Sequence, residues 1–243
     1  MSNPQAALPG GRPESQPEKL VEGRYLRWFE VCLVMLVALA GFFLNSLNLL
    51  QTGPGAAPRV SNFRWLIGVV NEVNALLLLG YVLSRRGRRF RDLGLRWSLR
   101  DVGVGLIVTA VSFLSYLVGS IVLQTIHFAM YGTLVTGHAA RAIFTSPSTA
   151  AVPFFLLSPF FEELIVRAYL MTEIVELTRS ATLAVIVSVA VQVSYHLYYG
   201  WLGALSIGCQ VLIFALYYAR WHRALPVIVA HGLFDLYGLI RLW

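Results

Sequence analysis

The sequence predicts an all-α protein, a polytopic transmembrane bundle of about seven (six to eight) helices, and three observations support this fold class. The 243 residues are 57% hydrophobic and 13% charged, whereas soluble domains carry about 25% charged residues. Several apolar runs reach the length of about 20 residues that a helix needs to cross a hydrocarbon layer of ~30 Å. Arginines concentrate in one stretch between two of these runs, which is typical of a cytoplasmic loop.

Hydropathy and chain breakers give the helices in order. The first helix follows residues 1–27, a polar stretch rich in Pro, Gly and Glu for which we expect a disordered tail; residues 28–243 form a single transmembrane domain. The breaker "QTGPGAAPR" ends the first helix, and the two glycines of "YYGWLG" allow a tight connection between the fifth and sixth. The predicted segments are 28–50, 63–83, 102–124, 150–175, 181–200, 203–219 and 224–241.

The distribution of basic residues orients these helices. The stretch "RRGRRFRDLGLRWSLR", residues 85–100, holds seven arginines, and such clusters mark the cytoplasmic side. The N-terminus is therefore predicted to be cytoplasmic, and an odd number of crossings places the C-terminus outside unless residues 125–149 add a segment. The Arg-rich composition and short length are typical of a bacterial protein, so we expect an integral protein of a bacterial inner or plasma membrane.

Charge and cysteine usage exclude several classes of function. The net charge of +7 does not indicate nucleic-acid binding, because the basic cluster lies beside membrane spans, where anionic lipid headgroups are a sufficient partner. Cys32 and Cys209 lie within apolar segments without paired spacing, which argues against a disulfide framework and a thiolate metal site. The absence of an internal repeat argues against a transporter built from inverted repeats.

The fourth segment carries ionisable side chains where they are expensive to keep. The run "SPFFEELIVRAYLM" places two carboxylates and an arginine among apolar residues, and such residues within a span mark an interior functional site. Glu163 and Arg167 are four residues apart, which predicts an ion pair on one helix face. Glu162 is turned about 100° away from Glu163, so we expect its carboxylate to be free for chemistry.

Two later segments supply histidines. In "HGLFD", His231 and Asp235 stand at i and i+4, so Asp235 can orient the imidazole or share its task. His196, in "VQVSYHLYYG", adds a second imidazole from another helix. In the second segment we interpret Glu72, with its two neighbouring asparagines, as structural.

One glutamate and two histidines from three helices can act in two ways. Glu162, His196 and His231 can bind Zn²⁺ or another divalent cation that activates water. They can also work without metal, with the glutamate as general base and the histidines donating hydrogen bonds to an oxyanion. Both describe peptide hydrolysis. Alternatively, each histidine is a packing residue and the ion pair only locks two helices together.

The ordered set "EELIVR", His196 and "HGLFD" resembles the CPBP family, which comprises type II CAAX prenyl endopeptidases and bacteriocin-processing (abortive infection) intramembrane proteases. Its pattern is Glu-Glu-x-x-x-Arg, then Phe-x-x-x-His, then His-x-x-x-Asn. The resemblance implies that Glu162 activates the attacking water, that His196 and His231 complete the site, and that Glu163 and Arg167 shape it. The implied substrate is a membrane-associated or lipidated protein or peptide, and the family resemblance leaves both mechanisms, with and without metal, open.

The resemblance covers roughly residues 85–240, with two departures. Gln192 stands where the pattern has Phe and can add a hydrogen bond to the cavity. Asp235 stands where Asn is usual, and a second carboxylate near Glu162 favours a bound cation. These departures keep open a non-catalytic membrane scaffold or immunity protein with the same fold; an ion-coupled transporter is a third hypothesis.

Overall fold

A computed structural model describes residues 16–52, 61–135 and 149–241 of the chain, and side chains from residue 23 to residue 240 within those ranges. In this part of the chain the secondary structure is helical throughout, which confirms the predicted all-α bundle. The helices are α1 Gln16–Thr52, α2 Asn62–Arg85, α3 Leu99–Tyr131, α4, α5 Ala181–Tyr195, α6 Gly200–Trp221 and α7 Ala224–Arg241. Helix α4 is composite: an α-helix Ala151–Glu162, a π-helical turn Glu163–Tyr169 and a second α-helix Leu170–Thr178.

Helix α1 begins earlier than the sequence indicates. It starts at Gln16, so residues 16–27 of the predicted disordered tail are helical; residues 1–15 lie outside the described residues. The reason is that its polar side chains find partners on α4. Arg24 donates to the Leu177 carbonyl at 3.3 Å, and Arg27 Nη2 contacts Glu173 Oε2 at 2.7 Å.

Four of the described helices are long and apolar enough to cross a membrane: α1, α2, α3 and α6 with the turn before it. Helices α5 and α7 are apolar but shorter. Helix α4 is the most polar of the seven in its centre, and its π-helical turn is buried along its whole length. Because α4 packs against α1, α2, α5, α6 and α7, its ionisable residues face protein rather than lipid.

Small residues let α3 approach its neighbours closely. A Cβ added at Gly105 would lie 2.7 Å from Val229 of α7, and one added at Gly119 would lie 2.5 Å from the Cys209 sulfur of α6. Apolar lipid provides little drive for helices to associate, so close backbone packing at small residues is a common source of stability within membranes. Helix α3 is therefore fixed against the side of the bundle formed by α6 and α7.

Contacts between polar groups bring several chain segments together at one end of the bundle. Arg88 Nη2 contacts Glu176 Oε1 of α4 at 2.7 Å, and Arg223 pairs with Asp101 at the start of α3. The Ala224 amide donates to the Gly94 carbonyl at 3.1 Å. This end of the bundle holds the start of α1 and α3, residues 85–100, the end of α4 and the α6–α7 turn. We call it the arginine end.

Candidate active site

A cavity of about 490 Å³ lies among α1, α2, α4, α7 and the turn after α5. We call it the central cavity. Most of its wall is apolar and aromatic, including Trp65, Phe154 and Phe155. Of the six predicted site residues, four line it: Glu162, His196, His231 and Asp235. The other two are fully buried behind its wall: Glu163 and Arg167.

Helix α4 is irregular on both sides of Glu162. Pro159, one turn earlier, lacks the backbone N–H that regular helix bonding uses. After Glu162 the π-helical turn begins, and the Leu170 amide donates to the carbonyl of Ile165, five residues back. Such turns occur frequently at functional sites. Here Glu162 faces the central cavity while Glu163 faces the protein interior, as the predicted angle between them requires.

The Glu162 carboxylate is held by neutral hydrogen-bond donors. Its Oε2 accepts from the Gln192 amide nitrogen at 2.6 Å and from the Tyr195 hydroxyl at 2.6 Å. Its Oε1 lies 3.5 Å from Ser158 Oγ. No arginine, lysine or histidine among the described side chains forms an ion pair with it. The two short bonds fix Oε2, and the more weakly bonded Oε1 is left for other partners.

The side-chain amide of Gln192 is itself oriented by an arginine. Arg167 Nη1 donates to Gln192 Oε1. Because a guanidinium can only donate, the amide oxygen must face Arg167 and the amide NH₂ must face Glu162. The predicted ion pair is also present, with 3.6 Å between Arg167 Nε and Glu163 Oε2. Gln192 therefore adds the hydrogen bond that the sequence suggested, and it connects the buried arginine to the reactive carboxylate.

Two carboxylates flank the His231 ring. Its Nδ1 lies 2.9 Å from Glu163 Oε1, a hydrogen bond, and its Nε2 lies 3.7 Å from Asp235 Oδ1. The second distance is too long for a hydrogen bond. The sequence predicted that Asp235, its i+4 neighbour, orients the ring or shares its task. In the structure Glu163, from another helix, is the closer partner.

His196 lies at a break between two helices. Helix α5 ends at Tyr195, His196 caps it, and a 3₁₀ turn Leu197–Tyr199 leads into α6. The predicted segment continued to residue 200; the left-handed φ of Gly200, 78°, separates the two helices here. His196 Nδ1 lies 2.8 Å from the Gln192 carbonyl. A carbonyl only accepts, so Nδ1 carries a proton and Nε2 is available for another partner.

Glu72 of α2 lies close to this site. It is 0% exposed, and its carboxylate oxygens have no hydrogen-bond partner of normal geometry within the described residues, although Ser158 lies beside them. Its neighbour Asn71 lines the central cavity and donates to the Ala38 carbonyl at 3.2 Å. The interpretation of Glu72 as structural stays a prediction.

The three predicted metal ligands do not form a coordination site. Among the described residues, no group of three or more His, Cys, Asp or Glu side chains is placed to hold a metal ion. Glu162 Oε2 is occupied by Tyr195 and Gln192, and His231 Nδ1 by Glu163. The atoms that remain for a cation are Glu162 Oε1, His196 Nε2 and His231 Nε2, and a carboxylate or carbonyl on the other ring nitrogen is also usual for a metal-bound histidine. The predicted divalent cation stays a prediction.

Two residues that contact Glu162 were not predicted. Tyr195 and Ser158 belong to apolar runs, where a single hydroxyl carries little weight in a hydropathy profile. A signal was present for each, because Ser158 precedes Glu162 by one helical turn and Tyr195 directly precedes His196. A search for polar groups at helical spacing from the carboxylate would have found the serine, but the tyrosine depends on how α5 packs against α4.

The part of the chain that contains the site matches a known protein family. Residues 142–237 match the family model of the Type II CAAX prenyl endopeptidase Rce1-like proteins. The predicted family resemblance is confirmed over these residues. The Rce1-like region is shorter than the predicted 85–240 but contains all six predicted site residues. No curated protein and no solved structure matched the chain.

The Rce1-like match bears on activity at the level of the family. This is a protease family, which supports a CAAX-protease-like intramembrane endopeptidase. With four helices suited to crossing a membrane, it also indicates an integral membrane protein.

Proposed function

We propose that the protein is an intramembrane endopeptidase that hydrolyses a peptide bond of a membrane-associated or lipidated protein or peptide with water activated by Glu162. One observation carries this proposal. The Glu162 carboxylate is fixed by Gln192 and Tyr195 and shares the central cavity with two histidines, His196 and His231. A carboxylate without a cationic partner beside two imidazoles is suited to moving protons.

The first step is activation of water. A water in the central cavity donates one hydrogen bond to Glu162 Oε1 and the other to His196 Nε2, whose lone pair is free because Nδ1 bonds the Gln192 carbonyl. Glu162 takes the proton as the water oxygen attacks the carbonyl carbon of the substrate. General-base catalysis of this kind contributes about 10²- to 10⁴-fold.

The second step is stabilisation of the tetrahedral oxyanion. His231, with Glu163 on its Nδ1, presents Nε2–H to the negative oxygen. Asp235, 3.7 Å from Nε2, faces the same atom and helps to keep the ring cationic. Loss of one such donor typically costs about 10²- to 10³-fold in kcat.

The last step is collapse of the intermediate. Glu162 returns the proton to the amide nitrogen as the C–N bond breaks, which releases an amine and a carboxylic acid and restores the carboxylate. Arg167 takes part through Gln192, whose amide it orients, and is a positioning residue. We propose that this cycle runs without metal, because no group of three or more His, Cys, Asp or Glu side chains is placed to hold a metal ion among the described residues.

The test uses purified protein in lipid nanodiscs with prenylated and unprenylated peptides and bacteriocin-leader-like peptides. We expect cleavage of at least one class by the parent, and loss of cleavage in Glu162→Gln. Chelation with EDTA or 1,10-phenanthroline should leave the rate unchanged. A chelator-sensitive rate restored by added Zn²⁺ would contradict the metal-free mechanism. Equal cleavage by Glu162→Gln and parent would contradict the assignment of the base, and binding without any product would favour the scaffold hypothesis.

A further inference from the structure

The charges of the bundle are strongly asymmetric between its two ends. Twelve arginines lie at the arginine end, whereas Arg64 lies at the opposite end among the described side chains. The twelve are Arg24, Arg27, the seven of residues 85–100, Arg179, Arg220 and Arg223. Membrane proteins retain such clusters on the cytoplasmic side. The arginine end is therefore the cytoplasmic end of the bundle.

The central cavity is built from the parts of the helices that lie farthest from the arginine end. Its wall on α1 comes from residues 41–49, near the C-terminus of that helix, and its wall on α2 from residues 64–71, near the N-terminus. The remaining wall is formed by the first half of α4, the turn after α5 and the middle of α7, at His231 and Asp235. Most of this wall therefore lies toward the end of the bundle opposite the arginine end.

Helix geometry gives the depth of the site. Gly41 is 14 residues from Arg27 along α1, and Asn71 is 14 residues from Arg85 along α2. At about 1.5 Å per residue, both lie roughly 21 Å from the arginine end. His231, eight residues after Arg223, lies roughly 12 Å from the arginine end. Since a hydrocarbon core is ~30 Å thick, the cavity extends from this depth past the midplane toward the opposite face.

The exposed residues of the cavity wall also support an opening at the end opposite the arginine end. Of the lining residues, Gly41, Asn45, Arg64 and Ile67 are exposed, and all four belong to α1 and α2. The guanidinium of Arg64, near the N-terminus of α2, is suited to meeting a carboxylate. The apolar and aromatic wall deeper in the cavity is suited to an apolar peptide segment.

We propose that the central cavity opens to the non-cytoplasmic face, and that its substrate is an apolar peptide segment with a nearby carboxylate that reaches the membrane from that side. Such a substrate is an exported or translocated chain. A lipidated tail presented from the cytoplasm would meet the arginine end, from which the buried π-helical turn of α4 separates the Glu162 part of the cavity. The substrate part of this inference rests on the proposed function; the direction of the opening does not.

Thiol labelling tests the direction without any need for catalysis. In a background of Cys32→Ser and Cys209→Ala, single variants Phe63→Cys, Ile67→Cys and Trp97→Cys are treated with a membrane-impermeant maleimide in intact spheroplasts. All three positions are more than half exposed, at 69%, 52% and 80%. We expect Phe63→Cys and Ile67→Cys to label at least tenfold faster than Trp97→Cys, which should label fully only after permeabilisation.

The reverse pattern, with Trp97→Cys labelled from outside, would overturn the inference whatever the enzyme does. Size-exclusion profiles matched to the parent show that each variant is folded.

A second experiment addresses the substrate. Wild-type protein in right-side-out and in inverted vesicles is given a peptide fused to a soluble protein that cannot cross the bilayer, with Glu162→Gln as the control. Cleavage in right-side-out vesicles supports the inference, and cleavage in inverted vesicles alone overturns it. If neither preparation cleaves while Ile67→Cys labels from outside, the opening is upheld and the proposed function fails.

Discussion

Two groups of carboxylates in this protein meet opposite surroundings. At the arginine end, Glu173 is 0% exposed and contacts Arg27 and Arg86 at 2.7 and 2.8 Å. In the central cavity, Glu162 is bonded by an amide and a hydroxyl, with no cationic partner among the described side chains. The first carboxylate has its charge neutralised by arginines that cannot give up a proton, whereas the second has its position fixed while its charge remains available.

This difference supports the proposed division between structural and reactive acids. An ion pair with arginine stabilises a negative charge but makes that carboxylate a poor base. Neutral donors orient a carboxylate with less effect on its charge. Glu163 is intermediate, since it contacts both Arg167 and His231, and its place behind the cavity wall suits a residue that positions another.

The largest effect is expected at Glu162. Glu162→Gln keeps the size and the hydrogen-bonding capacity of the side chain but removes the base, so we expect kcat to fall about 10²- to 10⁴-fold. Glu176→Gln, at the arginine end, is the matched control and should retain kcat within about twofold. Similar losses in both variants would mean that the two groups of carboxylates do not differ in role.

His231→Ala comes next. Removing the proposed oxyanion donor should lower kcat about 10²- to 10³-fold, with little change in KM because the interaction forms in the transition state. Steady-state kinetics in nanodiscs measure the two constants separately. A rise in KM with unchanged kcat would instead show that His231 binds substrate.

Glu173→Gln should lower the stability of the protein and leave its activity nearly unchanged. It removes an anion that Arg27, Arg86 and Arg88 share and leaves them only Glu30 and Glu176. We expect a loss of about 1–3 kcal/mol in the free energy of unfolding. The kcat of the folded fraction should stay within about twofold. Thermal unfolding in detergent and single-turnover cleavage separate the two effects. A variant of parental stability would show that the arginines are satisfied by water or lipid.

Tyr195→Phe tests how the Glu162 carboxylate is held in the central cavity. It removes one hydrogen bond to Glu162 and no volume to speak of, so we expect about a tenfold loss in kcat, which corresponds to about 1.4 kcal/mol, and an unchanged KM. Tyr198→Phe, on the neighbouring turn, is the control. An unchanged rate in Tyr195→Phe would mean that Gln192 alone fixes the carboxylate.

The smallest expected effect is a loss of folding stability at acidic pH. Burial raises the pKa of Glu176, but hydrogen bonds from Arg88 and Arg27 outweigh this and hold the pKa below its usual value. The folded state therefore binds this proton less tightly than the unfolded state. The resulting stability is present above the ordinary glutamate pKa of about 4.3 and is lost as pH falls through the lower folded value.

Because Glu176 is about one-third exposed, we expect a contribution of about 0.2–1 kcal/mol. Comparing melting temperatures of the parent and Glu176→Gln between pH 3 and 6 measures it. The two proteins should differ near neutral pH and converge in acid. A constant difference across this range would contradict the pairing.

The sequence could predict the parts of this molecule that depend on local pattern. Hydropathy located the helices, and the period of the helix correctly separated Glu162 from Glu163. The roles that depend on packing were harder. Asp235 was expected to orient His231 or share its task because the two are four residues apart, and local sequence could not show that Glu163 approaches the ring more closely from α4. Tyr195 was missed for the same reason.

The arginine end shows the same limit. The cluster in residues 85–100 was recognised as a mark of topology, but its contacts with Glu173 and Glu176 depend on where α4 ends in space. Local sequence could not show that α1 would extend to Gln16, because its polar residues are stabilised by groups about 150 positions away in the chain.

The π-helical turn of α4 sets the angular phase between the two halves of that helix. The π turn accommodates one residue more than a regular α-helical turn, so closing residues 163–169 into regular α-helix without a deletion would rotate everything after them by about 100°. Glu173 and Glu176 would then face away from their arginines while Glu162 stayed in place. The π-helical turn thus allows one continuous helix to direct Glu162 into the central cavity and Glu173 and Glu176 toward the arginines of the arginine end.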